Sequence, residues 1–156
     1  MKTDHSEMPQ IPHIQGCTNL KVRQLMRRIT LRYDVHMSLV GLKTTQYSLL
    51  SFIEKLGPIR PSELAAHIKV DASTLTRNLK SLIDAGWVSL SAGSDARSRL
   101  VAITVEGAQK RAQAKRQWRK AQNEINQRLG IEQVSALHEL IDKAMEKLPV
   151  DQAKAT

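Results

Sequence analysis

Three leucines at helical spacing, Leu75, Leu79 and Leu82, constrain the fold of this chain more than any other pattern in it. At 100° per residue they fall on one side of a helix. Asp71 can cap the free amide groups at the start of that helix, and Gly86 can end it in the left-handed conformation. The segment therefore predicts a helix that packs its leucine side inward and presents its other side outward.

The segments on either side of this helix complete a recognisable order of elements. Before it, Pro61 suits the first position of a shorter helix and Glu63 falls in the first turn, although Arg60 offers no capping acceptor. After it, residues 87–90 and 100–103 are rich in β-forming residues and are joined by a polar, glycine-bearing loop, which predicts a β-hairpin. A short helix, a tight corner, a second helix and a hairpin are typical of a winged helix-turn-helix.

The outward side of the second helix carries groups that suit DNA. Ser73, Arg77 and Lys80 lie opposite the leucines, and Thr74 and Thr76 lie on the flanks. Short hydroxyl side chains let the backbone approach DNA closely, and Arg77 can pair with guanine or clamp a phosphate. The alternative is an ordinary solvated face, because all of these residue types are common on protein surfaces.

The loop of the hairpin carries charges that suit the same role. Its tip holds Arg97, whose guanidinium can enter a narrow minor groove, and Arg99 follows two residues later. Asp95 can orient a neighbouring guanidinium by a charge-assisted hydrogen bond. In the alternative interpretation, Asp95 is a turn former and Arg97 is a solubilising charge.

The rest of the chain predicts helices on both sides of this unit, because apolar residues recur at three- and four-residue steps. The first and last two helices carry apolar tracks too large for 156 residues to bury within one subunit. The predicted bounds are about 17–41, 44 or 45–56 with a threonine as N-cap, 105–129 with Thr104 as N-cap, and a last helix that follows Gly130 and ends near residue 148.

Composition restricts the partners and the chemistry. The chain has 24 Lys and Arg against 15 Asp and Glu, so its net charge of +9 favours polyanions as partners.

The single cysteine excludes an internal disulfide, and the N-terminus lacks a signal peptide, so we expect a cytoplasmic protein. No segment reaches membrane-spanning length. The histidines have no metal-binding spacing and no catalytic motif is present, so we expect no metal, no cofactor and no enzymatic activity.

Four short motifs in this order give the chain a resemblance to the MarR family, the multiple-antibiotic-resistance regulators of bacteria. They are Ser62-Glu63-Leu64-Ala65, the run from Asp71 to Leu79, Ala85-Gly86-Trp87-Val88, and Asp95-Ala96-Arg97 followed by Thr104 and Glu106-Gly107. The resemblance implies a homodimer that straddles a roughly palindromic operator on double-stranded DNA. It also implies a repressor that is released by a small aromatic or phenolic ligand, or by oxidation.

Carried over residue by residue, the resemblance places DNA contacts at positions already singled out: Ser73, Thr74, Thr76, Arg77, Lys80, Asp95 and Arg97. We therefore expect a mainly α fold with a small β-hairpin wing, in which a winged helix-turn-helix domain is flanked by dimerisation helices. The expected divisions are a flexible arm at 1–16, a dimerisation helix at 17–42, the winged domain at 43–104, dimerisation helices at 105–148 and a tail at 149–156.

Two further hypotheses remain open. Cys17, with Tyr33 and Tyr47, resembles the organic-hydroperoxide-sensing branch of the family, which would make the protein a thiol-based repressor. However, Cys17 lies two residues farther from the segment around Tyr33 than that branch places its reactive cysteine, and Thr44 replaces the first of its paired tyrosines. An inert thiol is the alternative. The other hypothesis is a winged-helix interaction module that presents its basic fifth helix to an acidic protein without specific DNA readout.

Overall fold

The computed structural model describes residues 15–93 and 98–149. Most of the expected arm at 1–16 and of the tail at 149–156, together with Asp95 and Arg97, lies outside these ranges. Within them the fold is mainly α with one two-stranded antiparallel hairpin, as predicted. The elements are α1 (Thr18–Ser38), α2 (Thr44–Leu56), α3 (Pro61–Ile68), α4 (Ala72–Asp84), β1 (Val88–Ala92), β2 (Arg99–Ile103), α5 (Val105–Leu129) and α6 (Ile131–Lys147).

The start of α2 differs from the prediction. Thr44 is the first helical residue and Lys43 occupies the N-cap position, so the predicted threonine cap is wrong. Asp34 of α1 instead accepts hydrogen bonds from the Thr44 amide at 3.3 Å and from its hydroxyl at 2.6 Å. The Gln46 side chain accepts from the Lys43 amide at 2.9 Å. The acceptor that satisfies the first turn of α2 therefore comes from another helix, which local sequence rules do not detect.

The core lies where α2, α3 and α4 meet the hairpin and the first half of α5. It is aliphatic, as expected for a chain with 3% aromatic residues. Burying such side chains supplies about 1.5 to 3 kcal/mol each, which makes this cluster the main support of the winged region. Its largest fully buried side chains are Met37, Leu50, Ile53, Leu64, Leu75, Leu82 and Val101.

The hairpin is joined to the helical core through its second strand. Strands β1 and β2 pair in antiparallel register from Val88 opposite Ile103 to Ala92 opposite Arg99. Ile59, in the loop between α2 and α3, forms a bridge with Val101 through hydrogen bonds of 3.0 and 2.8 Å. This bridge fixes the base of the hairpin against the helices.

Helix α1 packs along α5 through a polar contact centred on Glu124. His36 Nε2 lies 3.1 Å from Glu124 Oε2, and Arg32 and Arg128 lie 3.4 and 2.9 Å from Glu124 Oε1. The hydrogen bond with His36, followed by that with Arg128, holds the pKa of Glu124 below its ordinary value. The carboxylate thus stays ionised and holds the two helices together.

Much of the apolar surface of α1 and α6 is exposed in the single chain. On α1 the exposed side chains include Val22, Met26 and Val35. Of the 17 residues of α6, Val134 is the one that is buried, while Leu140 is 65% exposed. Ile141 and Met145 are also exposed, as expected for a track that one subunit cannot bury. The same expectation is wrong for most of α5, because Ala121 and Ile125 are buried against their own chain. No helix in the described ranges has the length and apolar character needed to cross a membrane.

Candidate nucleic-acid interface

Helix α4 is held in place by its three leucines and by a tight corner before it. Leu75, Leu79 and Leu82 are all buried, as their spacing predicted. At the corner, Lys69 adopts the left-handed conformation with φ 55°, and the Val70 amide donates to the carbonyl oxygen of Ala65 at 3.1 Å. Because this turn is short and hydrogen-bonded, it fixes the direction of α4 relative to α3.

The start of α4 is organised by Asp71, the predicted N-cap. Its Oδ1 accepts a 2.8 Å hydrogen bond from the Thr74 amide and another from the Ser73 hydroxyl, and its Oδ2 accepts from the Thr74 hydroxyl at 2.7 Å. The hydrogen bond from the Ser73 hydroxyl, then those from Thr74, hold the pKa of Asp71 well below its usual range. The cap prediction is confirmed, but Asp71 was not expected to engage the two hydroxyl groups as well.

The outward side of α4 carries two cations in different situations. Ser73, Thr76, Arg77 and Lys80 are exposed, whereas Thr74 is half-buried. Lys80 Nζ lies 2.7 Å from Asp84 Oδ2, an exposed pair that is worth little in solvent. Arg77 has no ion-pair partner in residues 15–93 or 98–149. Its guanidinium therefore remains available to an external anion or base.

The described part of the hairpin places Arg99 beside Ala92, at the end of β2 next to the loop, where its side chain is exposed. Asp95 and Arg97 lie outside the described residues, so their predicted DNA contacts stay predictions. The base of the hairpin contacts α5, where Lys110 Nζ lies 5.2 Å from the centre of the Trp87 ring, a cation–π distance.

The candidate sensor residues fall into two separate places. Tyr33 and Tyr47 both flank Trp118 of α5, with ring centres 6.2 and 6.4 Å from it. Tyr33 donates a hydrogen bond to Gln122 Oε1, and burial raises the pKa of Tyr33 above 10.0, so its phenol stays protonated. Cys17 is exposed at the start of α1, about 24 Å from Tyr33 along the helix axis.

Sequence reasoning did not single out Trp118 as a functional residue, because an aromatic on an apolar track is ordinary core in a sequence. Its contact with both tyrosines defines an aromatic cluster between α1, α2 and α5. Within one subunit this cluster does not include the thiol. No three His, Cys, Asp or Glu side chains converge on a metal site in the described ranges.

Comparisons with known proteins agree with this geometry. A family model described as the MarR family matches residues 40–98. MarR of Salmonella typhimurium is 31% identical over 112 residues, which cover 70% of this chain and 78% of that protein. YwoH of Bacillus subtilis, an HTH-type transcriptional regulator, is 32% identical over 90 residues, which cover 58% of this chain and 66% of that protein.

Solved structures show the same architecture. MosR of M. tuberculosis, solved in complex with DNA, is 32% identical and superimposes with a TM-score of 0.71 over 86% of this chain and 100% of that one. A mutant MarR of E. coli, solved with operator DNA, is 25% identical with a TM-score of 0.76 over 81% of this chain and 92% of that one.

The fold and the outward-facing α4 define a winged helix-turn-helix transcriptional regulator rather than an enzyme. Given the extent and identity of the match to the Salmonella protein, the chain belongs to the MarR family.

Proposed function

We propose that the protein is a homodimeric repressor that binds a roughly palindromic operator on double-stranded DNA and is released by a small aromatic or phenolic ligand. The observation that carries the proposal is the presentation of α4. Its leucine side is buried, its cationic side is exposed, and the guanidinium of Arg77 is unpaired in the described ranges. Related proteins of this fold have been solved with DNA. Such a role belongs where the chromosome is, so we also propose a cytoplasmic location.

The homodimer is supported by the uncovered apolar surfaces of α1 and α6. A second copy that covered them would place two α4 helices on one face of the duplex, about 34 Å apart for successive major grooves. Sedimentation should therefore give about twice the 17.5 kDa mass of one chain. A monomer at concentrations that saturate DNA would contradict the dimer.

DNA binding is tested by selecting bound fragments from the source genome and measuring their affinity in gel shifts. Specific binding through several phosphates should show a steep dependence of log affinity on log salt, together with a preference for the selected sequence. Arg77→Ala, which removes the exposed guanidinium of α4, should bind the selected fragments more weakly. A protein that binds selected and scrambled fragments equally would contradict binding to a specific operator.

The release by a ligand is supported by the aromatic cluster of Tyr33, Tyr47 and Trp118. Three rings and the Tyr33–Gln122 hydrogen bond provide apolar area and a polar group for orienting a small aromatic molecule. Titration of the DNA complex with small phenols and aromatic carboxylates should release DNA from the wild type. Trp118→Ala should bind DNA but resist release. Failure of every such compound to displace DNA would contradict this part of the proposal.

Two alternatives remain outcomes of these tests. In the described ranges, Lys115, Arg116, Arg119 and Lys120 of α5 have no carboxylate within ion-pair distance, which favours a surface for an acidic partner. Weak, sequence-blind DNA binding would support that interaction module. Loss of operator binding on treatment with a hydroperoxide, together with an adduct on Cys17, would support thiol sensing.

A further inference from the structure

Three hydroxyl groups near the start of α4 donate their protons to acceptors of the same segment. The Ser73 and Thr74 hydroxyls donate to the two carboxylate oxygens of Asp71. The Thr76 hydroxyl donates to the carbonyl oxygen of Ala72 at 2.8 Å. A hydroxyl has one proton and two lone pairs, so each of these groups has lone pairs left for an external partner but no proton.

Asp71 holds the Ser73 and Thr74 hydroxyls in this orientation. Its low pKa keeps the carboxylate ionised near neutral pH, so it accepts hydrogen bonds and has no proton to return. If the Ser73 or Thr74 hydroxyl reversed direction, the carboxylate would lose that hydrogen bond. The first turn of α4 thus presents acceptors to its surroundings from its side chains.

Arg77 has the opposite polarity on the same side of α4. It follows Ser73 by four residues, which places it on the same face about 6 Å farther along the helix axis. Its guanidinium carries donors alone, and no carboxylate in the described parts of the chain lies within ion-pair distance of it. The exposed face of α4 therefore changes from hydrogen-bond acceptors to donors over about 6 Å. That distance corresponds to about two base-pair steps of DNA, at 3.4 Å each.

This pattern has a direct complement in the major groove. Adenine and cytosine present amino donors there, whereas guanine and thymine present keto acceptors. An acceptor-only hydroxyl pairs with the amino bases and leaves a keto base without a donor. A guanidinium pairs with O6 and N7 of guanine.

We propose that Ser73 and Arg77 are the specificity-determining residues of each operator half-site. Ser73 selects an amino base, adenine or cytosine, and Arg77 selects a guanine about two base pairs away. Asp71 is a positioning residue, because it acts through the hydroxyl of Ser73. This inference rests on the proposed binding of DNA through α4 and deepens it.

The first test is the pattern in the selected fragments. We expect one position that accepts both adenine and cytosine on one strand and excludes guanine and thymine, about two base pairs from a constant guanine. Enrichment of guanine or thymine at that position would overturn the inference while leaving specific DNA binding intact. Binding without any sequence preference would instead contradict the proposed operator function.

The second test removes single groups from the bases of that half-site. Replacing the adenine by purine, which lacks the amino group, should weaken wild-type binding about 2- to 10-fold and leave Ser73→Ala binding unchanged. Replacing the guanine by 7-deazaguanine, which lacks N7, should likewise weaken wild-type binding and leave the binding of Arg77→Ala unchanged. Equal losses in wild type and variant would show that the pairing is wrong.

The third test concerns Asp71. In Asp71→Asn the amide oxygen can still cap the helix, so the fold should be retained. That oxygen takes the place of Oδ1, which accepts from both the Thr74 amide and the Ser73 hydroxyl, so Ser73 still donates inward and the preference for amino bases should be kept. Asp71→Ala removes both oxygens, so the Ser73 hydroxyl is free to turn its proton outward. Asp71→Ala should therefore bind amino and keto bases at the selected position to within about twofold, whereas a purely structural role would preserve the wild-type ratio in both variants.

Discussion

The hydroxyl of Thr104 donates a 2.7 Å hydrogen bond to the carbonyl oxygen of Gly86 and so joins the start of α5 to the turn that follows α4. The same oxygen accepts a 3.0 Å hydrogen bond from the Gly107 amide as the N-cap of α5. One side chain therefore connects the turn after α4 to the long helix that leads to α6.

Thr104→Val removes both hydrogen bonds and keeps the shape of the side chain. We expect the free energy of unfolding to fall by about 1 to 3 kcal/mol, because the cap and the Gly86 carbonyl both lose a partner. Urea denaturation at an unchanged m-value is the measurement. Thr104→Ser, which keeps the hydroxyl, should lie close to the wild type. A loss in Thr104→Ser with none in Thr104→Val would show that the methyl group, not the hydroxyl, is responsible.

Gly107→Ala should destabilise the protein, although alanine is favoured over glycine in an open helix by about 1 kcal/mol. A Cβ at Gly107 would lie 1.9 Å from the carbonyl oxygen of Trp87, which is backbone and cannot move without shifting the hairpin. Such overpacking costs about 1 to 3 kcal/mol, so we expect the net change to be unfavourable. Thermal unfolding of Gly107→Ala and of Gln109→Ala, an exposed position two residues later, tests this. A higher Tm for Gly107→Ala would contradict the close contact.

Arg77→Ala and Arg97→Ala should each weaken operator binding by about 1 to 3 kcal/mol without unfolding the protein. The first loses the unpaired guanidinium of α4, and the second loses the predicted tip of the wing. Gel shifts on the selected operator provide the measurement. Arg23→Ala on α1 removes the same charge elsewhere, and an equal effect there would mean that overall charge, not contact, determines affinity.

Asp71 should make the stability of the protein depend on acid pH. Its pKa in the folded state is lower than its ordinary value of 3.8, so folding favours the ionised carboxylate. The stabilisation is therefore complete above that ordinary value and is lost as the pH falls toward the folded-state value. Asp71→Ala should lower the Tm at neutral pH by about 2 to 4 °C, and this difference should shrink below pH 3.8. A difference that is constant with pH would contradict the role of the charge.

Local pattern was sufficient to predict α3, α4 and α5 closely. Pro61 begins α3, Asp71 caps α4 and Thr104 caps α5, because caps and helical spacing are properties of neighbouring residues. The outward position of Arg77 followed from the same spacing.

Contacts between distant segments could not be predicted in this way. The cap that Asp34 provides to Thr44, the close approach of Gly107 to Trp87, and the pairing of His36 with Glu124 all depend on how helices pack. The direction of the Ser73 hydroxyl was also not predictable, because the sequence allows it to donate outward as readily as to Asp71.

Helix α6 buries Val134 alone of its 17 residues against its own chain, and its remaining apolar side chains need cover from elsewhere. If a second copy provides that cover, folding of α6 and assembly of the dimer are coupled. Dilution would then favour unfolding of α6, and a higher protein concentration would favour its folding. The concentration of the regulator in the cell would then determine what fraction of its molecules is folded and assembled, and so able to bind an operator.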